Sequence, residues 1–234
     1  MSIETREERY ERRLAHLYST DQQFADARPS ESVDAATANP ELRLTAVVKE
    51  VLDGYADRPA LAERAVELVT DGRTSARLLP RFETITYRQL GNRVHAVTNA
   101  WHNDPVKPGD RVAILGFTSV DYTVIDMALI ELGAVSVPLQ TSAPAAQLHP
   151  IVAETEPKLI ASSVDFLDDA VELVRSGPAP ARLVVFDYRP EVDESVATHC
   201  VTTQDHGIEA ALDQQLLPLA APALDRGEAV RIEM

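Results

Sequence analysis

GDRVAILGFTSVDYTVIDMALIELGAVSVPLQ, residues 109–140, reads as strand, turn, helix, tight turn and strand. Residues 111–115 (RVAIL) form a short apolar run closed by Gly116, the pattern of a strand buried on both faces. Thr118 and Ser119 can each cap a following helix, because a hydroxyl oxygen accepts from the unpaired N–H groups of its first turn. Residues 122–132 are apolar nearly all round, with only Asp126 and Glu131 charged, which suits a helix between layers. Gly133 stands where a left-handed C-cap is needed. Residues 135–139 return as a second strand, with Pro138 late, where a ladder donor can be spared. Two apolar strands joined by a helix make a right-handed βαβ unit and imply a parallel sheet.

The rhythm continues on the C-terminal side. Pro150 predicts the first turn of a short helix through Thr155, and Pro157 stops it. Residues 159–162 read as a strand, 165–175 as a helix, 176–180 (SGPAP) as a loop and 183–187 (LVVFD) as a fourth parallel-type strand. The predicted fold class is α/β, a layered, mostly parallel sheet with flanking helices. Beyond Pro190 no strand is expected, and only residues 208–217 look helical.

On the N-terminal side, ITYRQL (85–90) places Thr86 and Gln89 at capping-box spacing, ahead of a stripe of Leu90, Val94, Val97 and Trp101. Residues 104–109 form a loop. Residues 60–69 and a return through Leu78 and Leu79, around Asp71 and Gly72, read as a hairpin. Leu44, Val47, Val48, Val51, Leu52 and Tyr55 give a helix ending near Gly54. Residues 24–39 read as an irregular connector. Thr5 and Glu8 form another capping box, opening an amphipathic helix along Tyr10, Leu14, Leu17 and Tyr18. The division expected is an N-terminal helix and connector (1–40), a layered domain (41–193) and a tail (194–234).

The 234 residues hold 22 basic and 37 acidic side chains, a net charge of −15. That balance argues against nucleic acid or an anionic membrane surface as partner. Apolar residues make up 45%, enough for a sizeable core. Cys200 is the only cysteine, so an intrachain disulfide is impossible and a reducing, cytoplasmic setting is expected. No apolar run approaches the roughly 18 residues of a membrane span.

Chemistry-bearing patterns are sparse. The sequence has no G-x-x-x-x-G-K-[ST], no G-x-G-x-x-G, no G-x-S-x-G and no H-E-x-x-H. His199, Cys200, Asp205 and His206 are close together, but their spacing fits no standard metal site and reads as a polar loop. His95 and His102, seven apart, read as surface and loop residues. Thr118, Ser119, Thr141, Ser142 and Asp187 follow strand ends, where open α/β sheets bind ligands. Helix capping explains the hydroxyl residues equally well. Trp101 reads as core or interface rather than as a stacking platform. No catalytic, cofactor-binding or metal-binding residue is assigned from spacing.

ITYRQL (85–90) resembles the first core motif of adenylate-forming enzymes, the superfamily of acyl-CoA synthetases and peptide-synthetase adenylation domains. ELGAVSVPLQ (131–140) resembles the second. More narrowly, YADRPAL (55–61), LLPRFETITYRQL (78–90), GFTSVDYTVID (116–126), VPLQTSAP (137–144), PIVAETEPK (150–158) and SGPAPARLVVFDY (176–188) resemble the N-terminal part of carboxylic acid reductases, often labelled fatty-acid–CoA ligases. The likeness runs from about residue 3 to residue 193 and departs in the tail from Glu194 on, which reads as a divergent segment or a frameshift.

The resemblance implies an incomplete N-terminal subdomain of an adenylation domain. In that family ATP and Mg²⁺ activate a fatty or aryl acid as acyl-AMP. A phosphopantetheine arm then takes the acyl group as a thioester, and NADPH reduces it to an aldehyde. The family's Ser/Thr/Gly-rich phosphate loop and all later motifs have no counterpart in residues 1–234. The expectation is therefore a piece of an acid-activating enzyme, inactive alone. The alternatives are a non-catalytic module that binds a partner, such as a separately encoded remainder of the enzyme, and an independent α/β binding domain.

Overall fold

The computed structural model describes residues 4–71, 73–102, 106–176, 182–188 and 228–233. The chain divides into two compact units, Met1–Tyr55 and Ala56–Met234.

The first unit is helical. Helix α1 (Arg6–Thr20) opens on the capping box: Thr5 Oγ1 accepts from the Glu8 N–H, and the Glu8 carboxylate accepts from the Thr5 N–H at 2.7 Å. Helix α2 (Gln22–Asp26) is capped by Asp21 and α3 (Glu31–Ala38) by Ser30. These two replace the irregular connector expected over 24–39. The local reason is that Asp21 and Ser30 each supply an N-cap oxygen. The tertiary reason is that α3 buries Val33 and Ala36. Helix α4 (Leu44–Gly54) ends where the sequence predicts.

The second unit begins with a hairpin longer than expected. Strand β1 (Pro59–Asp71) pairs antiparallel with β2 (Arg73–Thr86), with register shifts between Pro59 and Leu61 and between Arg64 and Val66. Helix α5 (Tyr87–His102) follows at once. Its start is the predicted box, with Gln89 N–H donating to Thr86 Oγ1 at 3.2 Å and Thr86 N–H to Gln89 Oε1 at 2.8 Å.

The main sheet has the order β4-β3-β5-β6-β7. Strands β3 (Arg111–Leu115), β4 (Val135–Leu139), β5 (Leu159–Ser163) and β6 (Arg182–Tyr188) are parallel, as the apolar runs predict. Strand β7 (Glu228–Glu233) pairs antiparallel with β6. This corrects the expectation of no strand after Pro190. The pairing is long-range, between Val184 and Arg231 and between Val185 and Val230, and a six-residue edge strand has little local signal. The helix expected over 208–217 lies outside the described residues.

Helix α6 (Val120–Leu132) joins β3 to β4, α7 (Ala145–Thr155) joins β4 to β5, and a 3-10 turn (Val164–Phe166) with α8 (Leu167–Ser176) leads to β6. Ser119, not Thr118, caps α6, accepting from Tyr122 N–H at 3.1 Å. Gly133 ends it at φ +69°, a left-handed position that a Cβ disfavours. Helix α7 starts five residues before Pro150, correcting the expected start: Ala145, Leu148 and Val152 bury one stripe. That burial carries the helix through a proline whose missing donor lies on an exposed side.

Strand alternation splits the core into two layers. Ala113, Leu115, Ile160, Leu183 and Val185 pack with Leu148, Val152, Leu167 and Leu173 of α7 and α8. Val112 and Ile114 alternate with them and are fully buried. Helix α6 buries Val124, Ile125, Ala128 and Leu129, and α5 buries Val94, Val97 and Trp101. Trp101 is therefore core, as the stripe predicts. Among the described residues no helix is long and apolar enough to cross a membrane.

Candidate functional site at the carboxyl edge of the sheet

The chain leaves β3 for β4 on one flank and returns to β5 on the other. That reversal sets the topological switch point between β3 and β5, where open α/β sheets take ligands. Gly116 follows β3 there, and the site is close-packed. A Cβ on Gly116 would lie 2.7 Å from Phe186 Cζ and 3.0 Å from Ser163 Cβ, so only glycine lets these groups meet. Tyr122 stands edge-on to Phe186, with ring centroids 6.4 Å apart. Burial holds the Tyr122 phenol above its ordinary pKa, and the Asp126 carboxylate adds to the shift. Phe117 packs edge-on to Phe166 at 5.2 Å and is 66% exposed.

Ser119, Ser142, Ser163 and Asp187 of this edge bind the fold itself. Asp187, at φ +55°, accepts from Ser163 Oγ at 2.7 Å and from Val164 N–H at 2.9 Å. Ser163 Oγ accepts in turn from Asp165 N–H. Asp187 thus holds the 3-10 turn after β5. Ser142 Oγ accepts from Gln140 Nε2 at 2.9 Å, beside Thr141. Val120 N–H donates to Glu63 of β1 at 2.5 Å, a contact across 57 positions that no local pattern announces. Arg93 of α5 pairs with Asp121 of α6 at 3.6 Å, both largely buried.

Among the described residues, His95 and His102 do not converge on one site. His95 meets Glu131 of α6 at 2.9 Å, and His102 is exposed at the end of α5. His199, Cys200, Asp205 and His206 lie outside the described residues. Among the described residues no group of three or more His, Cys, Asp or Glu side chains is placed to hold a metal ion.

The AMP-binding enzyme family matches residues 48–223. The carboxylic acid reductase of Mycobacterium tuberculosis (strain ATCC 25618 / H37Rv) is 56% identical over 191 residues, covering 80% of this chain and 16% of the relative. That of Mycobacterium marinum is 55% identical over 197 residues, covering 82% and 17%. The chain thus spans about one sixth of the length of these relatives. Among solved structures, the A-PCP didomain of the Segniliparus rugosus carboxylic acid reductase, in complex with AMP, superposes with a TM-score of 0.77. It is 43% identical and matches over 84% of this chain and 29% of its own. The A domain of that enzyme, in complex with AMP and a co-purified carboxylic acid, gives the same score over 33% of its length. The strand–helix–strand of residues 109–140 and the helix opened by ITYRQL thus lie in a chain that belongs to the AMP-binding enzyme family, within which it is similar to the adenylation domains of carboxylic acid reductases.

Proposed function

We propose that the chain forms the N-terminal layer of an adenylation domain that activates a small carboxylic or fatty acid with ATP. The observation that carries this reading is the 43% identity at a TM-score of 0.77 to an adenylation domain solved with AMP and a carboxylic acid. Its role in that reaction is architectural. The β3–α6–β4 unit and α5 build a layer whose carboxyl edge spends its polar groups on caps and turns. Phosphopantetheine transfer and NADPH reduction belong to the full-length relatives and extend the same reading. So do a cytoplasmic setting and the division into 1–40, 41–193 and 194–234.

Residues 1–234 alone are proposed to be inactive. The reading is supported by the sequence, which carries no G-x-x-x-x-G-K-[ST] or other glycine-rich phosphate-loop pattern in residues 1–234. ATP–pyrophosphate exchange with the purified chain and a panel of fatty and aryl acids checks this, and exchange above background in any acid overturns it. A second reading, a non-catalytic module completed by a partner polypeptide, is favoured by the exposed apolar face of the β1–β2 hairpin.

A further inference from the structure

Strands β1 and β2, 13 and 14 residues long, form a two-stranded sheet of their own. Each extends about 40 Å, and such a ribbon is marginally stable in water without a third element. Its two faces differ. At the base of one, Leu61 pairs with Ile85 and Glu63 with Glu83, and Ala65 is 1% exposed. This face is tied to the main sheet layer, where Glu63 receives the Val120 N–H of α6.

The other face is apolar and bare. Arg64 pairs with Phe82, Val66 with Leu78 and Leu68 with Ala76, so these side chains share one side. Phe82 is 67% exposed, Leu78 61% and Leu68 45%. Nearby charges are matched within the hairpin, Glu67 with Arg77 and Arg81 with Glu83. What remains to recognise is a row of large apolar side chains beside the Arg64 guanidinium, on a ribbon of two strands, which is an interaction surface or an aggregation hazard.

We infer that this face is the docking surface for the remainder of an adenylation domain, a polypeptide with an apolar inner layer. The inference rests on the proposed function and adds the contact surface. Two observations select this occupant. The chain matches only 33% of the solved A domain, so most of that domain is polypeptide available to cover the hairpin. A second copy is disfavoured because each carries a net charge of −15, which opposes self-association.

The test co-expresses the tagged full chain with an untagged polypeptide that completes the adenylation domain of the M. tuberculosis relative. Tag purification then reads the amount of companion recovered and its ATP–pyrophosphate exchange. The companion should co-purify, and Leu78→Ser with Phe82→Ser should cut recovery by about tenfold or more, as for a central apolar contact. The variant chain's circular dichroism and thermal midpoint should match the wild type. If the double variant fails to fold, Leu78→Thr, which keeps a strand-forming residue, takes its place.

Equal recovery with the variants, with exchange restored, removes this surface and leaves the proposed function standing. Failure of the wild-type chain to recover a soluble companion overturns the inference. So does a wild-type dimer that the variants convert to monomer, or a cross-link from position 82 to residues 189–227 in the chain alone. Those two results give the face to a second copy and to the chain's own segment respectively.

Discussion

Ser119 shows how much single residues of this fold do by capping. Its Oγ holds the first turn of α6, while the neighbouring Thr118 is exposed. Ser119→Ala should lower the unfolding free energy by about 1 kcal/mol, and Thr118→Ala by well under that, in paired urea titrations. Glu8 gives a pH-dependent counterpart. The Thr5 N–H first, and then its hydroxyl, hold the Glu8 carboxyl below its ordinary pKa. The folded form thus binds its proton less readily than the unfolded chain, so the contribution is present above the ordinary Glu pKa. It is lost as pH falls through the lowered value. Amide exchange in residues 6–9 should quicken, relative to its intrinsic rate, on acidification through that window, and Glu8→Gln should remove the pH dependence. Both caps are legible in the sequence because donor and acceptor lie three positions apart. Glu63 on the Val120 N–H, 57 positions away, has no local signature. The same holds for Asp187, read as a possible ligand group and found bonded to Ser163 and Val164.

Among the elements, those with strong hydrophobic periodicity were legible and those decided by tertiary burial were not. RVAIL and LVVFD announce parallel strands because burial on both faces leaves a nearly unbroken apolar run, whereas the edge strand VSVPL, with only Leu139 buried, is legible from the tight turn at Gly133 that precedes it. Helix α3 is eight residues long, too short to be stable alone, and exists because Val33 and Ala36 are buried. Strand β7 depends on pairing with β6 across the sheet edge. Pro150 is the sharpest conflict between local rule and packing. It reads as a first-turn residue, yet it sits inside α7, where its ring forbids one backbone bond. The buried stripe of Ala145, Leu148 and Val152 outweighs that loss. Pro150→Ala restores the donor on an exposed side of the helix, at the expense of extra freedom in the unfolded chain. The net should be a gain of about 1–3 kcal/mol in unfolding free energy, read from thermal and urea denaturation of the full chain. A loss of stability would mean that the proline's fixed φ, rather than the stripe, holds this turn.

For the whole molecule, the proposed function separates layer from chemistry. The sheet order puts a switch point between β3 and β5, the usual place for a ligand, and Gly116 lies there against Phe186 and Ser163. The family was legible from two motifs because those motifs are themselves architectural: ITYRQL starts α5, and ELGAVSVPLQ turns from α6 into β4. Under the proposed function the site is built elsewhere in the domain, so no residue spacing in the sequence announces it. This has a thermodynamic consequence. A ligand that binds only the folded chain stabilises it by RT ln(1 + [L]/Kd), about 2.7 kcal/mol at a hundredfold excess over Kd. On the proposed function, which puts the nucleotide site outside this layer, the purified chain should show no shift in thermal midpoint with AMP or with ATP and Mg²⁺, at millimolar concentrations. The complex with the completing polypeptide should show one. A shift in the chain alone that saturates with AMP would place nucleotide recognition within residues 1–234. It would then favour an independent binding domain over a layer that serves a site built elsewhere.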